Sequence, residues 1–222
     1  MELDEVMRTT FSAREFTEEE LPDSVLYDIL DLARFAPSGG NRQGNRVVVV
    51  RDGARREALA KLAEPAAKRY AAQIMAGESP WNTIVATKLS AAEIAATPAP
   101  ERLTDSFRAA SVVLVFVVDL KLVASMDQNL ERIGVISGAS IYPFVWNVLL
   151  AARQAGFGGT ITTLAAAEEP AVRELLGFPA DHALAAVVPL GRPRRQLTRL
   201  RRNSVAQIAT RERFDGAPFS AG

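Results

Sequence analysis

Hydroxyl groups and an arginine lie close together near the start of the chain, in residues 9–16, TTFSAREF. The candidate binding groups are the side chains of Thr10, Ser12 and Arg14. Guanidinium and hydroxyl donors both suit phosphate oxygens, so this segment could bind an anion. The alternative is a helix cap at Ser12 or Thr17 beside a surface arginine.

Two glycine-containing stretches carry further polar side chains that could contact a ligand. Residues 36–43, APSGGNRQ, precede a run of valines and offer amide groups to a flat polar ligand, although they lack the GxGxxG and GxxxxGK[ST] spacings. Residues 156–163, GFGGTITT, combine threonine hydroxyls with glycines, which let the backbone approach a ligand. The alternatives are an ordinary turn for the first stretch, and a helix C-cap followed by a threonine-rich strand for the second.

An arginine cluster near the end of the chain raises the question of nucleic-acid binding. It contains Arg192, Arg194, Arg195, Arg199, Arg201 and Arg202. Almost no aromatic residues lie among them, and the rest of the chain is acidic enough to cancel their charge. One or two phosphate-binding arginines in a solvated segment is the simpler interpretation, and we predict no nucleic-acid partner.

Composition excludes several kinds of chemistry. Hydrophobic residues make up 48% of the 222 residues, enough for a packed core, and 26 basic residues balance 26 acidic ones. The chain contains no cysteine, so thiolate nucleophiles and cysteine-ligated metals are ruled out. With one histidine, His182, a multi-histidine metal site is not expected. The N-terminus has no apolar run typical of a secretory signal, which favours a cytoplasmic location.

Apolar patterning predicts a central sheet between helices, without an internal domain boundary. Runs such as VVVV and VVLVFVV predict strands buried on both faces. The predicted strands are 47–50, 112–118, 158–163 and 183–190, and the predicted helices are 2–9, 22–35, 55–75 and 172–176, the last closed by Gly177. Residues 77–108 give the least defined pattern.

Residues 133–152 form an uncharged stretch long enough to span a membrane. Ser137, Ser140, Pro143 and Asn147 interrupt it, so we predict a helix buried in a protein with no membrane partner.

The order of these segments resembles the nitroreductase family of flavoproteins, which includes iodotyrosine deiodinase. The resemblance rests on TTFSAREF, APSGGNRQ, the uncharged stretch followed by GGTITT, and the late LGRP and RLRR. It covers residues 2–209 and implies an α+β fold, a three-layer α/β/α sandwich with a mixed, mainly antiparallel sheet. It also implies a long buried helix at a dimer interface.

The resemblance implies an FMN site built from several segments. The matching positions in this chain are Thr10, Ser12, Arg14, Pro37, Ser38, Asn41, Gly159, Thr162, Thr163 and Arg202.

Each matching segment has an implied role. Ser12, Arg14 and Arg202 match phosphate ligands, Asn41 would reach polar atoms of the ribityl chain or pyrimidine, and Thr162 and Thr163 would lie near the reactive nitrogen. Thr10 and Phe11 stand where many relatives have two arginines, and Gly44-Asn45 replaces a common Pro-Trp. The first difference weakens the phosphate site, and the second enlarges the space beside the ring.

The implied reaction is FMN-dependent reduction of a nitroaromatic, a quinone or a related small acceptor, by a ping-pong mechanism with NADH or NADPH as donor. The resemblance gives no protein residue a catalytic role, because the flavin carries the chemistry. The alternatives are reductive dehalogenation, a role in binding or sequestering flavin without turnover, and a deazaflavin donor. Glu64, Tyr70 and Lys68 or Lys88 fall in the region that corresponds to the deiodinase lid, but their spacing does not match it.

We also predict a homodimer with each flavin between subunits. The uncharged stretch 133–152 motivates it, because Gly134 and Gly138 are four residues apart and would let two helices approach closely. Residues 1–222 would form a single domain, and the tail Arg211–Gly222 would wrap onto the partner.

Overall fold

Four strands form one antiparallel sheet in the order β1-β2-β4-β3. The structure is a computed structural model and describes residues 1–220. The strands are β1 (Asn45–Val50), β2 (Val112–Asp119), β3 (Gly158–Gly159) and β4 (His182–Gly191). Every pair of named strands in this range is antiparallel. The sequence analysis expected a mixed sheet, and the one parallel pairing within residues 1–220 is an isolated bridge between Ser12 and Gly159.

Helices cover both faces of the sheet. They are α1 (Leu3–Thr9), α2 (Asp23–Ala33), α3 (Gly53–Met75), α4 (Ala91–Ala96), α5 (Glu101–Ala109), α6 (Tyr142–Gln154), α7 (Glu169–Leu176) and α8 (Val205–Ile208). Within residues 1–220, no helix is both long and apolar enough to cross a membrane.

The side chains of β2 alternate between two cores, which confirms the three-layer α+β fold. Leu114, Phe116 and Val118 pack with residues of α2 and α6 on one face. Val113, Val115 and Val117, which point the other way, pack with residues of α3, α5 and α7. Because successive side chains of a strand face opposite sides, an unbroken apolar run requires both faces to be covered.

Local sequence patterns correctly predicted most of the elements. The ends of strands β2 and β4 and of helices α1, α2, α3 and α7 lie within three residues of the predicted positions. Helix α7 ends where it was expected to, since Gly177 adopts the left-handed conformation with φ 73°. The undefined region 77–108 contains the two short helices α4 and α5.

The prediction that β1 is buried on both faces was wrong. This strand lies at the edge of the sheet and pairs only with β2 within the described residues. Val49 is 44% exposed as a result. The predicted third strand, 158–163, is reduced to two residues, and Thr162 adds an isolated bridge to Val187.

The prediction of a continuous buried helix over residues 133–152 was also wrong. Helix α6 begins at Tyr142, with Pro143 in its first turn, and Ile136–Ser140 form a 3-10 turn. Ile133 and Val135 are more than 60% exposed. Gly134 and Gly138 therefore do not lie on one helix face, and they cannot act as a helix-packing pair.

The tail folds back on residues just before it. Arg211 N donates to Ala217 O (2.9 Å), and Phe219 N donates to Ala209 O (2.9 Å). Phe214 is fully exposed. Residues 221 and 222 of the predicted tail lie outside the described residues, and the wrapping of the tail onto a partner remains a prediction.

Candidate functional site

A cavity of about 580 Å³, which we call the main cavity, lies where the N-terminal segment meets α3, α5 and the residues after β3. Three of the predicted site residues, Arg14, Thr162 and Thr163, line it. The remaining wall is mainly apolar and includes Tyr70 and Trp81. Its volume falls within the range of about 300–1,000 Å³ that is usual for small-molecule and cofactor sites.

Backbone pairing brings these distant segments together. Ala13 N donates to Gly159 O (3.0 Å), which ties the N-terminal segment to β3. Thr162 exchanges two hydrogen bonds with Val187 of β4, at 2.9 and 2.8 Å. The arginine and the threonines therefore face one cavity although almost 150 residues separate them in the chain.

Sheet packing by itself requires a glycine at position 159. A Cβ atom at this position would overlap the carbonyl oxygen of Pro189 and lie 2.6 Å from Cδ2 of Leu190. The close neighbour of this glycine is therefore the adjacent strand. A role for Gly159 in binding a ligand remains a prediction.

The cavity contains a cation without an acidic partner and a hydroxyl without a hydrogen-bond partner among the described residues. Arg14 Nη1 is 3.4 Å from Ser12 O, and the guanidinium forms no ion pair within residues 1–220. Thr160 Oγ1 is buried and has no hydrogen-bond partner among the described residues. A buried hydroxyl without a partner is costly, which makes Thr160 a candidate ligand-binding group. The sequence analysis did not select it, because only burial distinguishes Thr160 from its neighbours.

Thr10 does not present its hydroxyl to this cavity. It is buried at the end of α1, and its Oγ1 donates to Val6 O (2.7 Å). This hydrogen bond stabilises the C-terminal end of α1, just before Ser12 and Arg14. A role for Thr10 in binding remains a prediction.

The aromatic wall of the cavity is positioned by a hydrogen-bonded loop, residues 76–90. Gln73 is buried in α3, and its Oε1 accepts from Trp81 N (3.0 Å). The carboxylate of Glu78 accepts from the Thr87 hydroxyl and from Lys88 N. These bonds, chiefly the one from Thr87, hold the pKa of Glu78 below its ordinary value. They fix Trp81, which no sequence motif indicated.

The predicted Pro-Ser loop lies in a different place. Ser38 contributes to a groove of about 430 Å³ beside Phe144, and Pro37 and Asn41 belong to the same turn. Ser38 Oγ accepts from Gln43 N (3.0 Å), and Gly39 N donates to Ser140 Oγ (2.9 Å). Within one chain, this loop does not join the cavity of Arg14 and Thr162.

Arg202 lies in a third concavity, of about 540 Å³, which also contains Arg8 and Arg199. Its Nη1 donates to the neighbouring carbonyl of Arg201 (2.7 Å). The two arginines that were predicted to bind the phosphate, Arg14 and Arg202, therefore do not line the same cavity of one chain.

A segment that is hydrogen-bonded to the Pro-Ser loop carries many exposed apolar side chains. It comprises residues 126–146, which we call the apolar segment, and the exposed members are Met126, Leu130, Ile133, Val135, Ile136, Tyr142 and Trp146. Ser140, which receives the hydrogen bond from Gly39, belongs to the same segment. Large apolar side chains exposed in such number are typical of a protein interface.

Asp127 organises the apolar segment. Its carboxylate is almost fully buried and accepts from Arg132 Nη1 (2.7 Å), from Val135 N (2.7 Å) and from Ile136 N (3.4 Å). These hydrogen bonds, the one from Val135 first, lower the pKa of Asp127 to about 2 from an ordinary value of 3.8. Helix α6 starts next to Pro143 because a proline inside a longer helix would remove a backbone hydrogen bond and clash with the preceding turn. Before that helix, Asp127 holds the irregular backbone at Val135 and Ile136 through their N–H groups.

Replacing Asp127 by asparagine should destabilise the protein above about pH 4. The folded-state pKa lies below the ordinary value, so the carboxylate stabilises the fold above pH 3.8, and that contribution is lost as the pH falls towards 2. The difference in urea midpoint between wild type and Asp127→Asn should therefore shrink as the pH is lowered from 4 to 2. Asp28→Asn, on the exposed face of α2, is the control. A constant difference over this range would contradict the assignment.

The sheet and its two helical layers define an α+β protein, and the cavity between the N-terminal segment and β3 is its candidate small-molecule site. The nitroreductase family model matches residues 7–192, and the chain belongs to the nitroreductase family. Comparison with curated protein sequences gave no match.

Solved structures confirm the fold. An oxidised iodotyrosine deiodinase bound to FMN and 3-iodo-L-tyrosine gives a TM-score of 0.69 at 20% identity, covering 96% of this chain and 100% of that one. An NADPH:FMN oxidoreductase from Vibrio harveyi, complexed with NAD+, gives 0.68 at 19% identity, covering 96% and 78%. A BluB-like flavoprotein from Clostridium difficile 630 gives 0.68 at 19% identity, covering 95% and 98%.

Proposed function

We propose that the protein is an FMN-dependent oxidoreductase that uses NADH or NADPH to reduce a nitroaromatic, a quinone or a related small acceptor. The proposal rests on the lining of the cavity. It includes Arg14, which has no acidic partner within residues 1–220, and the buried Thr160 hydroxyl, which has no hydrogen-bond partner there. Membership of the nitroreductase family and the FMN in the deiodinase structure of similar fold support the same cofactor.

The residues of the cavity suit FMN. Arg14 and Ser12 would bind the phosphate, whose negative charge needs donors that the protein has not already neutralised. Thr160 Oγ1, Thr162 and Thr163 would donate to polar atoms of the isoalloxazine ring, and Gly159 holds their strand in place. When bound, FMN would supply the hydride chemistry, which fits a chain without cysteine.

The aromatic wall would orient the electron acceptor. Tyr70 and Trp81 line the cavity, and Gln73 fixes the position of Trp81. Planar side chains favour offset stacking with a planar aromatic acceptor and exclude water from the site. No protein side chain has to act as a nucleophile or general base in this proposal.

A second copy of the chain would complete the site. Ser38 lines a groove beside Phe144 of the apolar segment, and Pro37 and Asn41 belong to the same loop, outside the main cavity. If two copies join through this segment, the partner's loop can reach the flavin. We therefore include a homodimer in the proposal, with the tail and Arg202 as further contacts. The cytoplasmic location stays a prediction.

The first test is an absorbance spectrum of the purified protein, followed by anaerobic titration with NADH and NADPH. We expect a flavin spectrum, about one FMN per chain, and bleaching by at least one nucleotide. Reoxidation is then followed with a nitroaromatic, a quinone and 3-iodo-L-tyrosine. A colourless protein that neither binds added FMN nor oxidises NAD(P)H would contradict the proposal.

The same titrations separate the alternatives. Bound FMN that neither nucleotide reduces would favour a flavin-sequestering role or another donor such as a deazaflavin. Iodide release from 3-iodo-L-tyrosine, with slow reduction of nitroaromatics, would favour the dehalogenase. Tyr70 lines the cavity, whereas Glu64 and Lys68 line a neighbouring groove, so the structure does not group these residues as one substrate clamp.

A further inference from the structure

The guanidinium of Arg69 has an unusual environment. It lies over the ring of Trp81, with Cζ 4.2 Å from the ring centroid. Its side chain is half-buried in α3, and its Nε is buried without a hydrogen-bond partner among the described residues. Within residues 1–220, the Arg69 head group has neither a hydrogen bond nor an ion pair.

Of the four other arginines that stack on aromatic rings within residues 1–220, three are neutralised by a carboxylate. Arg34 over Phe35 pairs with Asp31 at 2.7 Å. Arg173 over Phe178 pairs with Glu169 at 2.8 Å, and Arg192 over Phe157 pairs with Glu19 at 2.6 Å. Arg211 stacks on Phe219 at the exposed surface, where water solvates it.

Arg69 is therefore partly removed from water without a counter-charge. Desolvating a cation is costly unless an anion or several acceptors replace the water. A bound anion would provide that replacement.

The position of Arg69 connects it to the main cavity. Arg69 and Trp81 line a groove of about 530 Å³ between α3, α4 and the turn before α7. Trp81, Ala66 and Ala167 line both this groove and the main cavity, so the two spaces adjoin. A molecule with its ring in the main cavity could extend past Trp81 to Arg69.

Arg69 and Lys68 are the cations of the groove that have no carboxylate partner within residues 1–220, and of these two Arg69 stacks on Trp81. Lys61 pairs with Glu57 (3.8 Å), Lys68 Nζ lies 3.4 Å from Ala95 O, and Glu64 pairs with Arg108 (3.4 Å). Glu168 also lines the groove but forms no ion pair within residues 1–220.

We infer that Arg69 binds an oxyanion of one of the two molecules that exchange over the flavin, with Trp81 beside the ring of that molecule. The oxyanion is a carboxylate on an aromatic electron acceptor or a phosphate of the nicotinamide nucleotide. The inference rests on the proposed function, and it names Arg69, which the sequence analysis did not select, as a specificity-determining residue.

Calorimetric binding to the holoprotein tests the inference. The probes are 4-nitrobenzoate and its uncharged analogue 4-nitrobenzamide in one arm, and the unreactive oxidised nucleotides NAD+ and NADP+ in the other. We expect wild type to bind at least one oxyanion probe about tenfold or more tightly than Arg69→Gln does, as loss of a charge-assisted hydrogen bond requires. Affinity for the amide should not change, and Arg69→Lys should restore part of the loss.

The two arms identify the source of the oxyanion. A loss confined to 4-nitrobenzoate assigns the site to the acceptor, and a loss confined to the nucleotides assigns it to the donor. Arg55→Gln removes the same charge from the first turn of α3, outside both spaces, and should behave as wild type. Unchanged affinities for all four probes in Arg69→Gln would overturn the inference.

Failure of the inference is distinguishable from failure of the proposed function. FMN content and the flavin spectrum are measured on each variant before titration. Protein without FMN contradicts the proposed function, whereas protein that retains FMN and turnover but shows no Arg69 dependence contradicts only the oxyanion site.

Discussion

Replacing Ile133 by aspartate should produce a monomer that has also lost its FMN. Ile133 is 62% exposed at the centre of the apolar segment, where we place the partner. Burying an unpaired carboxylate costs several kcal/mol, which weakens dimerisation on the order of a thousandfold. The Pro-Ser loop is attached to this segment through Ser140, so separation of the subunits should remove that half of the flavin site.

Sedimentation and flavin absorbance measured on the same sample test this prediction. Wild type should sediment at about twice 24.0 kDa, with flavin bound. Leu3→Asp is the matched control, because Leu3 is 68% exposed on α1, outside the apolar segment. A monomeric Ile133→Asp protein with full flavin occupancy would show that one chain holds the whole site. A dimeric variant would place the interface elsewhere.

Replacing Arg14 by alanine should weaken FMN binding by about 1.5–3 kcal/mol, or roughly tenfold to 150-fold. The guanidinium has no carboxylate partner within residues 1–220 and lines the main cavity, so its charge is available to the phosphate. Riboflavin lacks that phosphate, and its weaker binding should change little.

Titration of the apoprotein with both flavins measures this effect. Arg195→Ala, an exposed arginine of the basic cluster, should leave both affinities unchanged. An equal loss of FMN and riboflavin binding in Arg14→Ala would place the contact on the ring. A loss in Arg202→Ala that matches the Arg14 effect would show that both cations serve one phosphate despite lining different concavities.

The sequence predicted those elements whose determinants are local. The apolar run of β2 and the glycine that ends α7 act within a few residues, and both were found where they were expected. The uncharged composition of residues 133–152 was misleading, because a new helix starts next to Pro143 and Asp127 holds the backbone before it in an irregular form through Val135 N and Ile136 N. Hydrogen bonds to a carboxylate several residues away are not visible in periodicity.

The candidate site was predictable only in part for the same reason. Ser12, Arg14 and the threonines follow recognisable motifs, and sheet pairing brings them together. Trp81 reaches the cavity through a bond to Gln73, and Thr160 is distinguished only by burial. These are consequences of tertiary packing, so no spacing in the sequence indicates them.

The edge position of β1 and its valine run affect the tendency of the chain to aggregate during refolding. Its four consecutive valines lie on an open side of the sheet, where backbone groups are available to other chains. Short apolar runs of this kind template aggregation when they are exposed. Arg46 and Arg51 flank the valines, and in the unfolded chain, where Arg51 no longer pairs with Asp23, their charges oppose such pairing between copies. These two arginines therefore help determine how much of the chain refolds at high concentration instead of precipitating.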